Sequence, residues 1–263
     1  ANSWKYYGND DPEFQDAIME NQVGNELDTV GLSVIRTNAQ VNKVGTYKEV
    51  LTINQSKETL EEEYTNYTFA INPGDFEIKT NDQDVLKVGA TNVSKTYDGQ
   101  SLGVTATATL EGATIKYKDK DGKYTLDASP VRKNVGETTV EFEASLYGYK
   151  TVTGKAKITI TKRPAEITVA NDEKYYGTED PEFASATMSG QVAGELADVD
   201  LRVIRTNASV NKVGTYKDVL TINSSKKELE KANTNYTFTI APADFTINTN
   251  EDALTVSAED VTK

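Results

Sequence analysis

A mostly β chain of three small tandem modules is the architecture this sequence predicts. Three observations lead there: a long gapless repeat, a period-two alternation of apolar and polar residues, and a low apolar share. Residues 5–81 align with residues 174–250 without a gap, with about two thirds of positions identical, and so long a period points to tandem domains, not to a solenoid of roughly 20–50-residue units. Apolar residues are 37% of the 263-residue chain. That stays below the roughly 45–50% of an average globular chain even when glycine replaces tyrosine in the count. A low share suits several small modules, because small domains bury proportionally less surface.

The repeat fixes the module boundaries. KYYGNDDPEF from Lys5 is answered by KYYGTEDPEF from Lys174, VIRTNA from Val34 by the same run from Val203, and VNKVGTYK from Val41 by its copy from Val210. The stretch between them keeps only the punctuation: Tyr97-Asp98-Gly99 stands where the outer modules have Tyr6-Tyr7-Gly8 and Tyr175-Tyr176-Gly177. Val135-Gly136 stands for Val44-Gly45 and Val213-Gly214, and the separation from first tyrosine to later glycine is the same in all three. The modules are therefore residues 1–81, 82–162 and 163–250, with 251–263 opening a further one at Thr262-Lys263. The first module is expected to lack the counterpart of the AEITV stretch at 165–169, as in a segment cut from a longer array.

Alternation supplies the strands. Tyr67, Phe69 and Ile71 face one way and Thr68 and Ala70 the other. Val104, Ala106, Ala108 and Leu110 repeat the pattern, as do Val140, Phe142 and Ala144, and Ala156, Ile158 and Ile160. A period of two marks half-buried strands, and the Thr, Val, Tyr and Ile content agrees. Asp121-Gly122 reads as a hairpin tip, and Pro73-Gly74-Asp75 as the joint between two strands. Short helices are predicted at Lys57–Tyr64 and Lys226–Ala232, the second with a serine N-cap and Asn233 as its stop. The middle module is shorter and is expected to lack this helix. Short linkers at Thr80–Asp84 and Thr161–Pro164, one holding proline, predict a stiff, elongated series.

Charge and composition remove whole classes of function. Acidic residues outnumber basic ones 41 to 28, for a net charge of −13, which excludes the basic surface that nucleic acid needs and disfavours anionic membranes. No apolar stretch approaches the roughly 20 residues of a membrane span. Without histidine or cysteine, histidine-based triads, thiol nucleophiles and nearly all zinc sites are unavailable. No phosphate-binding glycine motif occurs. The expectation is a protein that is not an enzyme, with no catalytic, cofactor or metal residues.

Several residues still require weighing. Asp10-Asp11 with Glu13, repeated as Glu179-Asp180 with Glu182, could hold Ca²⁺ or serve a glycosidase. The reading adopted is a solvated turn, with Asp11 and Asp180 extended before proline. Asp119–Gly122 is read as a hairpin tip, not a calcium loop. Tyr6, Tyr7, Tyr175 and Tyr176 could stack on sugar rings; one in the core and one at a junction is the reading taken. Lys43 or Lys48 with Asn54 or Asn66 could form an isopeptide bond if buried. Trp4 stands where the third module has Glu173, outside the repeated plan. The Asn-x-Ser/Thr patterns, as at Asn54 and Asn235, are read only as a Thr/Asn-rich β surface.

The outer modules resemble the MBG ("mostly β-grasp") repeats of bacterial surface proteins. The carrying motifs are Lys5–Phe14 and Lys174–Phe183, Val44–Tyr47 and Val213–Tyr216, Asn66–Phe69 and Asn235–Phe238, and Asp75–Ile78 and Asp244–Ile247. The middle module resembles the related Lys-Thr-Tyr-Asp-Gly repeats. The resemblance implies β-grasp-like outer modules around a middle one that is a helix-poor β-grasp or an Ig-like sandwich. It implies a monomeric stalk or spacer in an extracellular, wall-attached bacterial protein, with no membrane contact by this fragment. Alternatively the modules bind a host glycan or matrix protein themselves, or the segment is an accessory region of a secreted hydrolase.

Overall fold

The computed structural model describes residues 2–252 and 254–258. The reading of a further module rests on Thr262 and Lys263, which lie outside the described residues. The chain is mostly β. It opens with β1 (Ser3–Tyr6), β2 (Val34–Arg36), β3 (Gly45–Ile53), α1 (Lys57–Glu63) and β4 (Gly74–Lys79). The middle stretch gives β5 (Val88–Gly89), β6 (Val93–Thr96), β7 (Thr107–Ala108), β8 (Thr114–Lys118), β9 (Tyr124–Leu126), β10 (Gly136–Ser145) and β11 (Val152–Thr161). The last stretch gives β12 (Arg163–Thr168), β13 (Asp172–Tyr175), β14 (Thr187–Ser189), β15 (Val203–Arg205), β16 (Gly214–Ile222), α2 (Lys226–Ala232), β17 (Tyr236–Ala241) and β18 (Ala243–Asn248).

Two compact units result. One comprises Ala1–Thr91, Thr105–Ser129 and Val140–Ala156; the other comprises Asn92–Val104, Pro130–Thr139 and Lys157–Lys263. Residues 82–162, read above as one module, thus contribute to both.

The first unit holds a four-stranded sheet in the order β1-β4-β3-β2, with β1 parallel to β4 and the other pairs antiparallel. Its inward side chains Leu51, Phe76 and Ile78 are buried, and Phe14 meets Phe76 edge-on at 5.9 Å. From the middle stretch the same unit takes β8, paired with β9 and with Phe142–Ser145 of β10. Asp119 closes the β8–β9 hairpin as expected. Its carboxylate accepts from the Asp121 and Lys123 amides, both at 2.9 Å, and from the Thr125 hydroxyl at 2.6 Å. Gly122 supplies a φ of 81° that a side chain would oppose.

In the second unit the order β13-β18-β16-β15 copies that four-stranded sheet strand for strand. Both copies carry a bulge, between Tyr47 and Leu51 and between Tyr216 and Leu220. There Glu49 and Asp218 adopt φ of 56° and 55°. Such backbone is unfavourable for residues other than glycine, and the aspartate of the closing motif secures it. Asp75 accepts from the Glu49 amide at 3.0 Å and from Lys48 at 2.6 Å. Asp244 does the same for the Asp218 amide at 3.1 Å and Lys217 at 2.5 Å.

This unit has a further sheet in which β12 lies between β14, antiparallel, and β17, parallel. Ala165, Ile167 and Val169 point inward with Tyr236 and Phe238, all buried. Among the described residues the first repeat has no such sheet. Contrary to the alternation reading, residues 66–72 are not a strand, so Pro73-Gly74-Asp75 does not join two strands. The reason is ladder chemistry: period two orients side chains, but a strand exists only when its amides and carbonyls meet a neighbour. Among the described residues of the first unit nothing takes the position of β12.

The helices match expectation closely. Ser225 caps α2 through a reciprocal capping box with Glu228, Asn233 ends it, and Ser56 caps α1. Each helix buries one leucine, Leu60 or Leu229. Phe245→Ala should destabilise the second unit by about 3–5 kcal/mol, and Ser225→Ala by about 1 kcal/mol. Urea unfolding followed by tyrosine fluorescence checks both, and equal losses would contradict this ordering.

Candidate functional site

The repeated signature converges on one ion cluster in each outer repeat. Alternation along β1 places Lys5, and not a tyrosine, at the inward position, where the residue is only 9% exposed. Along β2, Val34 and Arg36 face in and Ile35 faces out, leaving Arg36 6% exposed. Asp11 joins them, one oxygen 2.9 Å from Lys5 Nζ and the other 2.8 Å from Arg36 Nε. The second repeat reproduces this with Asp180, Lys174 at 2.9 Å and Arg205 at 2.8 Å. Some of the remaining donors go to backbone oxygens: Arg36 Nη2 to Ala39 at 2.7 Å, Arg205 Nη2 to Ala208 at 2.9 Å, and Lys174 to Thr178 at 3.0 Å, while Arg36 Nη1 is buried without such a partner among the described residues. Each guanidinium also lies over a core phenylalanine, Arg36 at 4.5 Å from the Phe76 ring and Arg205 at 4.6 Å from Phe245.

This geometry decides the carboxylate question locally. Asp11 and Asp180 each pair with two buried cations, whereas Asp10, Glu13, Glu179 and Glu182 are exposed. Among the described residues no cluster of three acidic side chains is arranged to hold a metal ion. The solvated-turn reading is therefore corrected for Asp11 and Asp180, which are half-buried and ion-paired. Arg36 and Arg205 escaped notice as members of the cluster. The available signal was an arginine in phase with the inward valine of a strand, repeated in both modules.

The tyrosines divide differently from expectation. Neither Tyr6 nor Tyr175 is in the core, since lysine holds the inward position. Tyr7 does sit at a joint, edge-on to Tyr147 and Tyr149 at 5.5 Å from each. Gly148 passes beneath its ring so closely that an added Cβ would lie 2.2 Å from Tyr7. Linker residue Asn81 is 5% exposed and completes this joint. Its side chain donates to the Tyr7 carbonyl at 2.9 Å, its amide to Gly148 at 2.8 Å, and its carbonyl accepts from Lys150 at 2.9 Å. Tyr175 and Tyr176 are 39% and 50% exposed.

A second joint lies within the other unit. Tyr97 and Tyr236, 5.6 Å apart, both donate to Glu195, at 2.7 and 2.5 Å. The Tyr97 hydroxyl is pushed up to about 12, first by its bond to Glu195 and then by burial. Burial, followed by the same carboxylate, raises Tyr236. Asn235 accepts from the Val135 amide at 2.9 Å, and linker residue Arg163 donates to the Tyr97 carbonyl at 3.4 Å. An open depression of about 510 Å³ adjoins Glu195, lined otherwise by small and aliphatic residues such as Ala186, Leu196 and Leu201. Of the isopeptide candidates, Lys48 is paired to Asp75, and Lys43, Asn54 and Asn66 are exposed. Trp4 lies 46% exposed under the Lys79 ammonium at 4.1 Å.

Two copies of a bulged sheet closed over a lysine–aspartate–arginine cluster define a β repeat protein whose signature residues hold the fold. Residues 165–246 match the family model of the MBG domain (YGX type). No curated relative matches the chain. Among solved structures, the human desmocollin-1 ectodomain aligns at 13% identity over 95% of this chain and 60% of its own, with a TM-score of 0.26. Drosophila OTK extracellular domains 3–5 align at 13% identity over 83% and 73%, with a TM-score of 0.25. This chain thus spans less than two thirds of the desmocollin-1 chain.

Asp180→Ala should destabilise the second unit by up to about 3–5 kcal/mol, because it leaves two buried cations unpaired. Asp180→Asn should cost less, and denaturant titration separates the two. The tyrosine joint should respond to alkali. A raised folded pKa means its contribution is complete below pH 10, the ordinary tyrosine value, and is lost as pH climbs toward about 12. Tyr97→Phe should flatten that loss between pH 10 and 12, as read by thermal melts.

Proposed function

We propose that this chain is a non-catalytic repeat segment of a secreted, wall-attached bacterial surface protein, acting as a stalk that holds a binding region away from the cell. The observation that carries the reading is the bracing of both linkers. Asn81 is buried and bonded through side chain, amide and carbonyl, and Arg163 is tied to Tyr97 beside the Glu195 joint. Linkers fixed this way suit a spacer, whose use lies in length and stiffness. The repeated motif residues support the same reading, since Asp11, Asp75, Asp180 and Asp244 serve ion pairs and bulges within their own sheets. The match of residues 165–246 to the MBG domain (YGX type) agrees with a surface-protein repeat region. In this proposal the outer repeats are β-grasp-like, the middle residues form a third, Lys-Thr-Tyr-Asp-Gly type module, and the segment is a monomer without cofactor.

A second reading, direct adhesion to a host glycan or matrix protein, draws on Tyr175 and Tyr176, whose exposed rings could stack on sugars. Small-angle scattering of the isolated chain tests the first proposal. An elongated monomer of roughly 100 Å is expected, from three modules of ~30 Å built on strands of eight to ten residues. A compact particle would refute it. A glycan array should be silent, and binding abolished by Tyr176→Ala would favour adhesion.

A further inference from the structure

Tension along a chain reaches a repeat through its early strands and leaves through its last, so the pairing between those strands decides how the repeat yields. In the first repeat β1 lies parallel to β4, with Ser3–Tyr6 opposite Phe76–Lys79. In the middle stretch β6 lies parallel to β11, with Val93–Thr96 opposite Ile158–Thr161. The last repeat does this twice. Arg163–Thr168 of β12 pairs in parallel with Tyr236–Ala241 of β17, and Asp172–Tyr175 of β13 with Phe245–Asn248 of β18.

Parallel pairing puts the two loaded ends at opposite ends of the ladder. Pulling then slides one strand along the other, and the inter-strand bonds bear the load together. Antiparallel neighbours would be loaded at one shared end and would unzip bond by bond. A single ladder bond contributes little by itself, so the number that must break at once sets the force. Forced rupture follows the unfolding rate, not the equilibrium stability.

Three of these ladders share one plan beyond their direction. Asn2, Asn92 and Asn171 each stand one residue before a ladder and accept through Oδ1 from the amide directly opposite. The donors are Asp75 at 2.9 Å, Lys157 at 2.8 Å and Asp244 at 2.9 Å. One residue past each ladder, a tyrosine amide donates to the carbonyl of the last paired residue. Tyr7 donates to Lys79 at 2.8 Å, Tyr97 to Thr161 at 2.9 Å and Tyr176 to Asn248 at 2.9 Å. The inner faces of the leaving strands are closed to water, since Phe76, Ile78, Ile158, Ile160, Phe245 and Ile247 are at most 1% exposed. In the outer repeats, sliding would also drag Lys5 or Lys174 away from Asp11 or Asp180, which the arginine of another strand holds in place.

We propose that the chain is a tension-bearing element, in which each parallel pair is a clamp loaded in shear when the two chain ends are pulled apart, three of the clamps being closed by an asparagine clip. The source of the tension rests on the stalk reading. The clamps do not, because each lies inside one compact unit.

The chain contains no cysteine, so introduced cysteines place force handles without competition. One version carries a cysteine added at each end. A second carries Glu166→Cys and Thr239→Cys, exposed partners that face each other across β12 and β17. In single-molecule pulling at equal loading rate, the end-loaded chain should yield at a force at least about twofold higher than the cross-strand version, because several ladder bonds break together. Combining Asn2→Ala, Asn92→Ala and Asn171→Ala in the end-loaded chain should lower that force, with a thermal melt confirming that the variant is folded. Equal or lower force under end loading, or a force unchanged by the three substitutions, would overturn the proposal. A compact particle in scattering would count against the stalk alone, because the comparison of pulling directions does not depend on overall shape.

Discussion

Each outer repeat depends on one carboxylate meeting two cations beneath its sheet. Lysine at the inward position of β1 and arginine at that of β2 would be untenable in an apolar core, because an unpaired buried charge costs several kcal/mol. Asp11 and Asp180 make them tenable, and the loop following the Tyr-Gly turn is drawn against the sheet as a consequence. Arginine over Phe76 or Phe245 then becomes part of the core. The Lys-Tyr-Tyr-Gly-x-x-Asp-Pro signature is thus a folding device: strand lysine, turn glycine, and an aspartate set in extended geometry by the proline after it.

A second aspartate works at the opposite end of the sheet. Asp75 and Asp244 satisfy the amide of a left-handed residue at the bulge in the long strand. The bulge re-aims the strand so that Leu51 or Leu220 enters the core after a register shift. Acidic residues that composition alone assigns to a solvated surface therefore include four that hold sheets together. The strongly negative net charge resides in the remainder.

The comparison between repeats shows how far an amphipathic pattern can carry a strand. Tyr67, Phe69 and Ile71 alternate as faithfully as Tyr236, Phe238 and Ile240, yet only the second set forms a strand. Side-chain period is encoded locally, while hydrogen-bond pairing is supplied by another part of the chain. The same logic accounts for the tyrosines. The sequence reads Tyr6 and Tyr7 as equivalent members of a doublet, but only Tyr7 finds Tyr147, Gly148 and Tyr149 against it.

What the sequence determined by itself was local or repeated: the mostly β character, the two short helices with their serine caps, the Asp119 hairpin tip and the copied plan of the outer repeats. These follow from period, capping chemistry and turn residues, which act over a few neighbours. Tertiary structure alone decided which polar residues turn inward, because Lys5, Asp11 and Arg36 meet only once separate strands are paired. It also decided which alternating segment becomes a strand, since that depends on whether β12 or nothing lies alongside. Both decisions rest on partners distant in sequence, and no local pattern records a partner's presence.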